Sequence, residues 1–152
     1  MNAALASLCL LAACEREPKI QALAPAALNA AEAEALQRMN EAGNSPFAGW
    51  TWRYEFGAGC RLRVIKRFEG RLIPPNEYVL SDHHVEIIPF AGSGFGVKAY
   101  PRSKPGSADL FDARTQAQAS AFAKDIEQLI NSCAQPAEPR EKAGPASTPF
   151  HG

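Results

Sequence analysis

Six basic side chains crowd into one short stretch: Arg53, Arg61, Arg63, Lys66, Arg67 and Arg71, opposed there only by Glu55 and Glu69. Guanidinium groups form paired hydrogen bonds with carboxylates and phosphates, so a row of them is suited to docking an anion. On an extended strand, alternate side chains share a face. Arg61, Arg63 and Arg67 then project together with Ile65, while Cys60, Leu62, Val64 and Phe68 point the other way. This basic face is the candidate partner-binding surface. The competing reading is a solvated outer face whose charges discourage edge-to-edge pairing.

Two other clusters suggest chemistry and fail on spacing. Asp82-His83-His84 contains metal-ligand types, but strand alternation puts Asp82, His84 and Glu86 on one face and His83 on the other. A polar, solvated strand face accounts for them. The run "GSGFG", residues 92–96, lacks the lysine-serine end of a phosphate loop and the G-x-G-x-x-G spacing, so it reads as a hairpin turn. Ser93 is not in a nucleophile elbow. The sequence offers no nucleophile–base pair, no metal-ligand spacing and no cofactor motif, so no catalytic residue, metal or cofactor is assigned.

These residues need a scaffold, and the periodicity supplies one. Residues 50–56 alternate, with Trp50, Trp52, Tyr54 and Phe56 facing one way and Thr51, Arg53 and Glu55 the other, as on a half-buried strand. The "GAG" of residues 57–59 reads as a hairpin loop into the strand from Cys60. Lys66 interrupts that strand's apolar face, which predicts a bulge or an end nearby. "IPPNE" is expected to be a loop, because paired prolines do not suit a central strand. "HHVEIIPF" and "FGVKAYPR" form a second pair, and "ADLFDA" is read as a fifth short strand.

Helices flank the strands. Residues 25–43 are rich in Ala, Leu and Glu, with Pro25 in the first turn, Gly43 at the end, and an apolar stripe of Leu28, Ala31, Ala35, Met39 and Ala42. Thr115 and Gln118 form a capping box, behind which Ala119, Phe122, Ile126, Leu129, Ile130 and Cys133 share a helical face. The expectation is an α+β fold: an antiparallel meander of four to five strands with an N-terminal and a C-terminal helix packed on one face. Residues 25–133 form its single domain, and the Pro-, Ala- and Gly-rich residues 134–152 a disordered tail.

Within 152 residues, 16 basic and 16 acidic side chains cancel, so no global field points to nucleic acid. Residues 1–13 carry no charge, and the run "LCLLAAC" occupies residues 8–14. Leu11-Ala12-Ala13-Cys14 resembles the lipobox of bacterial lipoprotein signals, in which small residues precede the cysteine that receives lipid. The resemblance covers residues 1–14 only. It implies a signal peptide over 1–13, a lipidated Cys14, a tether over 14–24, and a lipid-anchored address on the periplasmic side of the cell envelope. Glu15 in place of aspartate after the lipidated cysteine favours the outer membrane. Cys9 would then leave with the signal and Cys14 would carry lipid. Cys60 and Cys133 remain as a pair in a compartment where disulfides persist; two unrelated buried thiols are the alternative.

The sequence therefore points to a non-enzymatic module that binds an anionic protein or another envelope component: an assembly accessory, a secretion accessory or an immunity-type protein. The alternatives are a carrier holding a small molecule between helices and sheet, which a pocket lined by Trp50 or Trp52 would favour, and a small cell-wall hydrolase.

Overall fold

The computed structural model describes residues 20–45 and 47–134. The expected signal peptide, Cys14 and nearly all of the expected tail lie outside them. Among the described residues, two helices and six strands make an α+β fold, with the strands in two three-stranded antiparallel sheets. The first sheet holds β1 (Trp50–Gly57), β2 (Arg61–Phe68) and β3 (Arg71–Val79) in that order. A 3-10 turn at Leu80–Asp82 leads to the second sheet: β4 (His83–Pro89), β5 (Phe95–Pro101) and β6 (Ala108–Ala113). The single meander of four to five strands is thus replaced by two.

The additional strand is β3, which contains the "IPPNE" expected as a loop. Prolines are tolerated here for two reasons. β3 lies at the edge of its sheet, where half of its N–H groups have no strand to donate to. Pro74 and Pro75 also fall at a bulge, because the register slips between Val64 and Lys66, leaving them opposite Ile65. The irregularity expected near Lys66 is present, and β2 runs on through it to Phe68.

The alternation in β1 and β2 orients the first sheet as the sequence suggests. Trp52, Tyr54, Leu62 and Val64 are buried on its inner face. There Tyr54 packs on Phe122 with ring centroids 5.2 Å apart and donates its hydroxyl to the Leu110 carbonyl at 2.6 Å. The second sheet and α2 (Gln116–Ala134) complete this core with Val97, Leu110, Ile126 and Leu129. Both hydrogen bonds of the Thr115–Gln118 capping box are present at the start of α2. Cys133 near its end is joined to Cys60 by a disulfide.

α1 (Ala30–Gly43) starts later than its composition suggests. Asn29 is the cap: its side chain accepts from the Glu32 N–H while the Glu32 carboxylate accepts from the Asn29 N–H. Pro25 is not in a helix but forms an antiparallel bridge with Gly57. Gly43 is not a left-handed stop. It is the last helical residue, and a Cβ there would sit 2.3 Å from the Trp52 carbonyl oxygen. Glycine is required because α1 lies directly on the backbone of β1.

Candidate functional site

The basic face is built by the register of three strands. Arg63 on the central strand β2 stands opposite Glu55 of β1 and Glu77 of β3. Side chains directly opposite one another share a face and interact. The Arg63 guanidinium bonds Glu77 at 2.5 Å and Glu55 at 3.3 Å, and its side chain is 8% exposed. It also donates to the Gln21 carbonyl of the segment preceding α1. Arg63 is therefore a buried structural cation in a Glu–Arg–Glu ladder rather than an outward-facing ligand group. Arg61 and Arg67 share its face as the alternation implies, but only Arg61 stands well out from it.

Arg61 is 58% exposed, with Glu77 3.9 Å away. Arg53, across the sheet, is 71% exposed, with Glu55 at 3.7 Å. Ion pairs this long and this wet hold their partners weakly, so both guanidinium groups can exchange them for another anion. Arg67 is half-buried and donates to the Gly70 carbonyl at 3.1 Å, tying the β2–β3 hairpin. Arg53 belongs to this surface by register, and Val79 beside Arg61 adds an exposed apolar side chain.

The segment before α1 is docked onto the β1–β2 end of the same sheet. Ala58 N–H donates to the Ala24 carbonyl at 3.0 Å, and Pro25 bridges Gly57. A Cβ on Gly57 would lie 2.5 Å from the Leu23 side chain and 2.7 Å from the Ala24 oxygen. The "GAG" turn was read from sequence as hairpin chemistry, and its first glycine also makes room for this segment.

On the inner face, Lys66 brings a charge among aromatics. Its Nζ sits 4.5 Å from the centroid of the Trp52 ring, a cation–π contact. Burial lowers its pKa, while Asp109 and Asp112 of β6 oppose that shift and Lys98 adds to it. Burial raises the pKa of Asp112, helped by the like charge of Asp109 and resisted by Lys66 and Lys98. Asp109 itself bonds Lys98 at 3.0 Å. The Trp52 indole N–H is buried without a hydrogen-bond partner. The cluster explains how a strand carries a lysine on its core side: the charge lies over a ring face, and Asp109 and Asp112 favour its protonated form.

Asp82, His83 and His84 are not gathered into a ligand set. Asp82 belongs to the 3-10 turn and accepts from the Ser103 hydroxyl. His83 is buried with Nδ1 2.8 Å from the Val79 carbonyl, so Nδ1 carries the proton, since a carbonyl only accepts. His84 is exposed beside Glu86 at 3.2 Å. Among the described residues no three His, Cys, Asp or Glu side chains come together as a metal site requires. Residues 92–96 lie in the β4–β5 turn and the start of β5, where Gly92 and Gly94 have positive φ.

A half-open cleft of about 220 Å³ lies between α1, α2 and the end of β6. Its lining includes Phe47, Phe111 and Phe122, with Arg114 over the Phe47 ring at 5.3 Å and the Arg38–Asp125 ion pair at 2.7 Å. Neither Trp50 nor Trp52 contributes to it. No cue in the sequence joined these residues, because the cleft depends on how two helices distant in sequence meet. No family model, no curated protein and no solved structure matches this chain.

Proposed function

We propose that this chain is a lipid-anchored, non-enzymatic binding module of the bacterial envelope, facing the periplasm, with the outer membrane as the favoured site of its anchor. The observation that carries the reading is the Cys60–Cys133 pair standing at disulfide distance, since such bonds persist in exported proteins and are rare in reducing compartments. It fits the lipobox-like Leu11-Ala12-Ala13-Cys14, which assigns a lipid to the remaining mature cysteine.

The binding surface in this reading is the outer face of the first sheet. Arg53 and Arg61 are its accessible donors, Arg67 orders its far end, and Arg63 holds it together from beneath. Its partner is anionic. Small anchored domains of this kind act as assembly accessories, secretion accessories or immunity-type proteins. A second reading, a small-ligand carrier, is favoured by the cleft between the helices and β6, whose phenylalanines suit a compact apolar group.

The test combines two measurements on the chain expressed in a bacterium. Mass spectrometry is expected to find acylated Cys14 as the N-terminus. Capture from envelope extract is expected to recover an acidic partner with the unmodified chain and to lose it with Arg53→Glu/Arg61→Glu. An intact, unacylated Met1 would sink the address. Capture unaffected by the double substitution would move the binding surface to the cleft.

A further inference from the structure

We infer that the cleft between α1, α2 and the end of β6 binds a small neutral molecule with a compact apolar body and a head that sets a hydrogen-bond donor beside an acceptor, as a carboxamide does; the inference rests on the small-ligand reading above. Arg38 and Ala42 are one turn apart on α1, and Ala121 and Asp125 one turn apart on α2, so each helix gives one face to the cleft. Phe111 and Phe122 stack with ring centroids 4.5 Å apart and planes 20° from parallel. Phe47 is fixed by two backbone hydrogen bonds with Trp50, at 3.1 and 2.9 Å. Its ring lies against Gly94, where a Cβ would approach it to 3.0 Å. The fold itself holds these walls, so a ligand need not order them. At about 220 Å³ the space is smaller than the roughly 300–1,000 Å³ of drug-sized sites, which suits an occupant no larger than a single ring or a short branched chain.

The head is set by the ion pair between the helices. Arg38, Ala121 and Asp125 also line a shallower groove beyond the cleft, so they form the wall that the two spaces share. Asp125 is 8% exposed. The pair is made end-on: Arg38 Nε and Nη2 both donate to Oδ1, at 3.0 and 2.7 Å. Asp125 Oδ2 accepts from no described residue, and the second hydrogen of Nη2 has no described acceptor. Glu34 approaches only Nη1, at 3.7 Å. The pair therefore keeps one unused acceptor and one unused donor beside each other.

Charge selects a neutral head. The charged side chains of the lining are Arg38, Arg114, Asp112 and Asp125, two of each sign. A carboxylate placed on Nη2 would stand beside Oδ2, and an ammonium placed on Oδ2 would stand beside Nη2. Either arrangement sets like charges together. A carboxamide avoids both: its N–H donates to Oδ2, its carbonyl accepts from Nη2, and the ion pair stays whole.

The experiment titrates the full chain at pH 7 with four probes that share one ring: benzamide, benzoate, benzylammonium and toluene. Binding is read from the Ala42 and Ala121 methyl signals in NMR. Benzamide should shift both methyls saturably and bind at least about tenfold more tightly than each of the others, the ratio that follows from one or two hydrogen bonds. Ala121→Leu, at an exposed position, should abolish the shift at Ala42 and leave the Tm unchanged. Equal binding of benzamide and toluene in the cleft would overturn the assigned head and leave the small-ligand reading standing. Tighter binding of benzoate or benzylammonium would overturn it in favour of a charged ligand. No shift at either methyl with any probe would overturn the small-ligand reading and this inference together. Benzamide shifts that persist at Ala42 in Ala121→Leu would overturn the assignment to this cleft.

Discussion

Asn40 holds both backbone groups of Tyr54: its side-chain oxygen accepts from the Tyr54 N–H at 2.9 Å, and its amide donates to the Tyr54 carbonyl at 3.1 Å. β1 is the edge of its sheet, and at this residue a side chain from α1 stands in for a neighbouring strand. Asn40→Ala would leave two partly buried backbone groups unpaired at about 1–3 kcal/mol each before water returns. The expected outcome is a loss of roughly 2 kcal/mol in urea unfolding, with faster amide exchange at Tyr54. Unchanged exchange at Tyr54 would show that α1 does not seal this edge.

Gly57→Val tests the docked tether. The new side chain would collide with Leu23 and the Ala24 carbonyl, so the segment must lift. The Ala58 amide, which donates to Ala24, should then exchange at the rate of an unprotected turn while the β2 amides stay protected. Continued protection at Ala58 would mean that the tether is held elsewhere.

Arg63 and Arg61 are one strand step of two apart and should behave oppositely. Arg63→Gln leaves Glu55 and Glu77 facing each other over a space that has lost its cation. Breaking such a pair costs about 3–5 kcal/mol, and the lower end applies because both glutamates keep contact with water. Arg61→Gln should change stability by no more than about 0.5 kcal/mol. Equal effects in chemical denaturation would contradict the burial of Arg63.

Replacing Cys60 and Cys133 with serine removes a link between residues 73 apart in sequence. The expected loss is about 2–5 kcal/mol, lowering the Tm of the oxidised protein by roughly 10 °C or more. Free reaction of both thiols with an alkylating reagent in the folded, unreduced protein would rule out the bond.

Asp112 gives a pH-dependent test. Its pKa is raised in the fold, so folding favours the protonated form; the associated stability is complete below the ordinary carboxylate pKa and is lost as pH rises through the folded value. At neutral pH the ionised group is therefore a net burden, even with Lys66 and Lys98 nearby. Asp112→Asn should stabilise the protein at pH 7, and the advantage should vanish near pH 3, where Asp112 is already neutral. A variant less stable at pH 7 than at pH 3, relative to the parent, would reverse the sign of this argument.

The readable parts of this fold were those governed by local period. Trp52 and Tyr54 are in the core because β1 alternates, and Thr115 and Gln118 cap α2 because the box is a local pattern. Arg63 shows what a one-dimensional reading misses. Its burial depends on Glu77, and Glu77 enters the sheet only if β3 is a strand, which Pro74 and Pro75 argued against. Edge position and a bulge overrode that argument, and neither follows from the prolines' neighbours. Likewise Pro25 favoured a helix start by type, whereas a bridge to Gly57 and the Asn29 cap moved the start downstream.

The docked segment and the disulfide meet the same hairpin: Ala24 and Pro25 bind at Gly57 and Ala58, and Cys60 follows two residues later. A pull on the chain upstream of Gln21 therefore enters the molecule beside its sulfur–sulfur bond. Tension passes from the hairpin into the end of α2 through a covalent path, and the rest of the first sheet need not unzip to carry it. The hairpin acts as a mechanical clevis, joining the leading segment to the body beside a covalent cross-link.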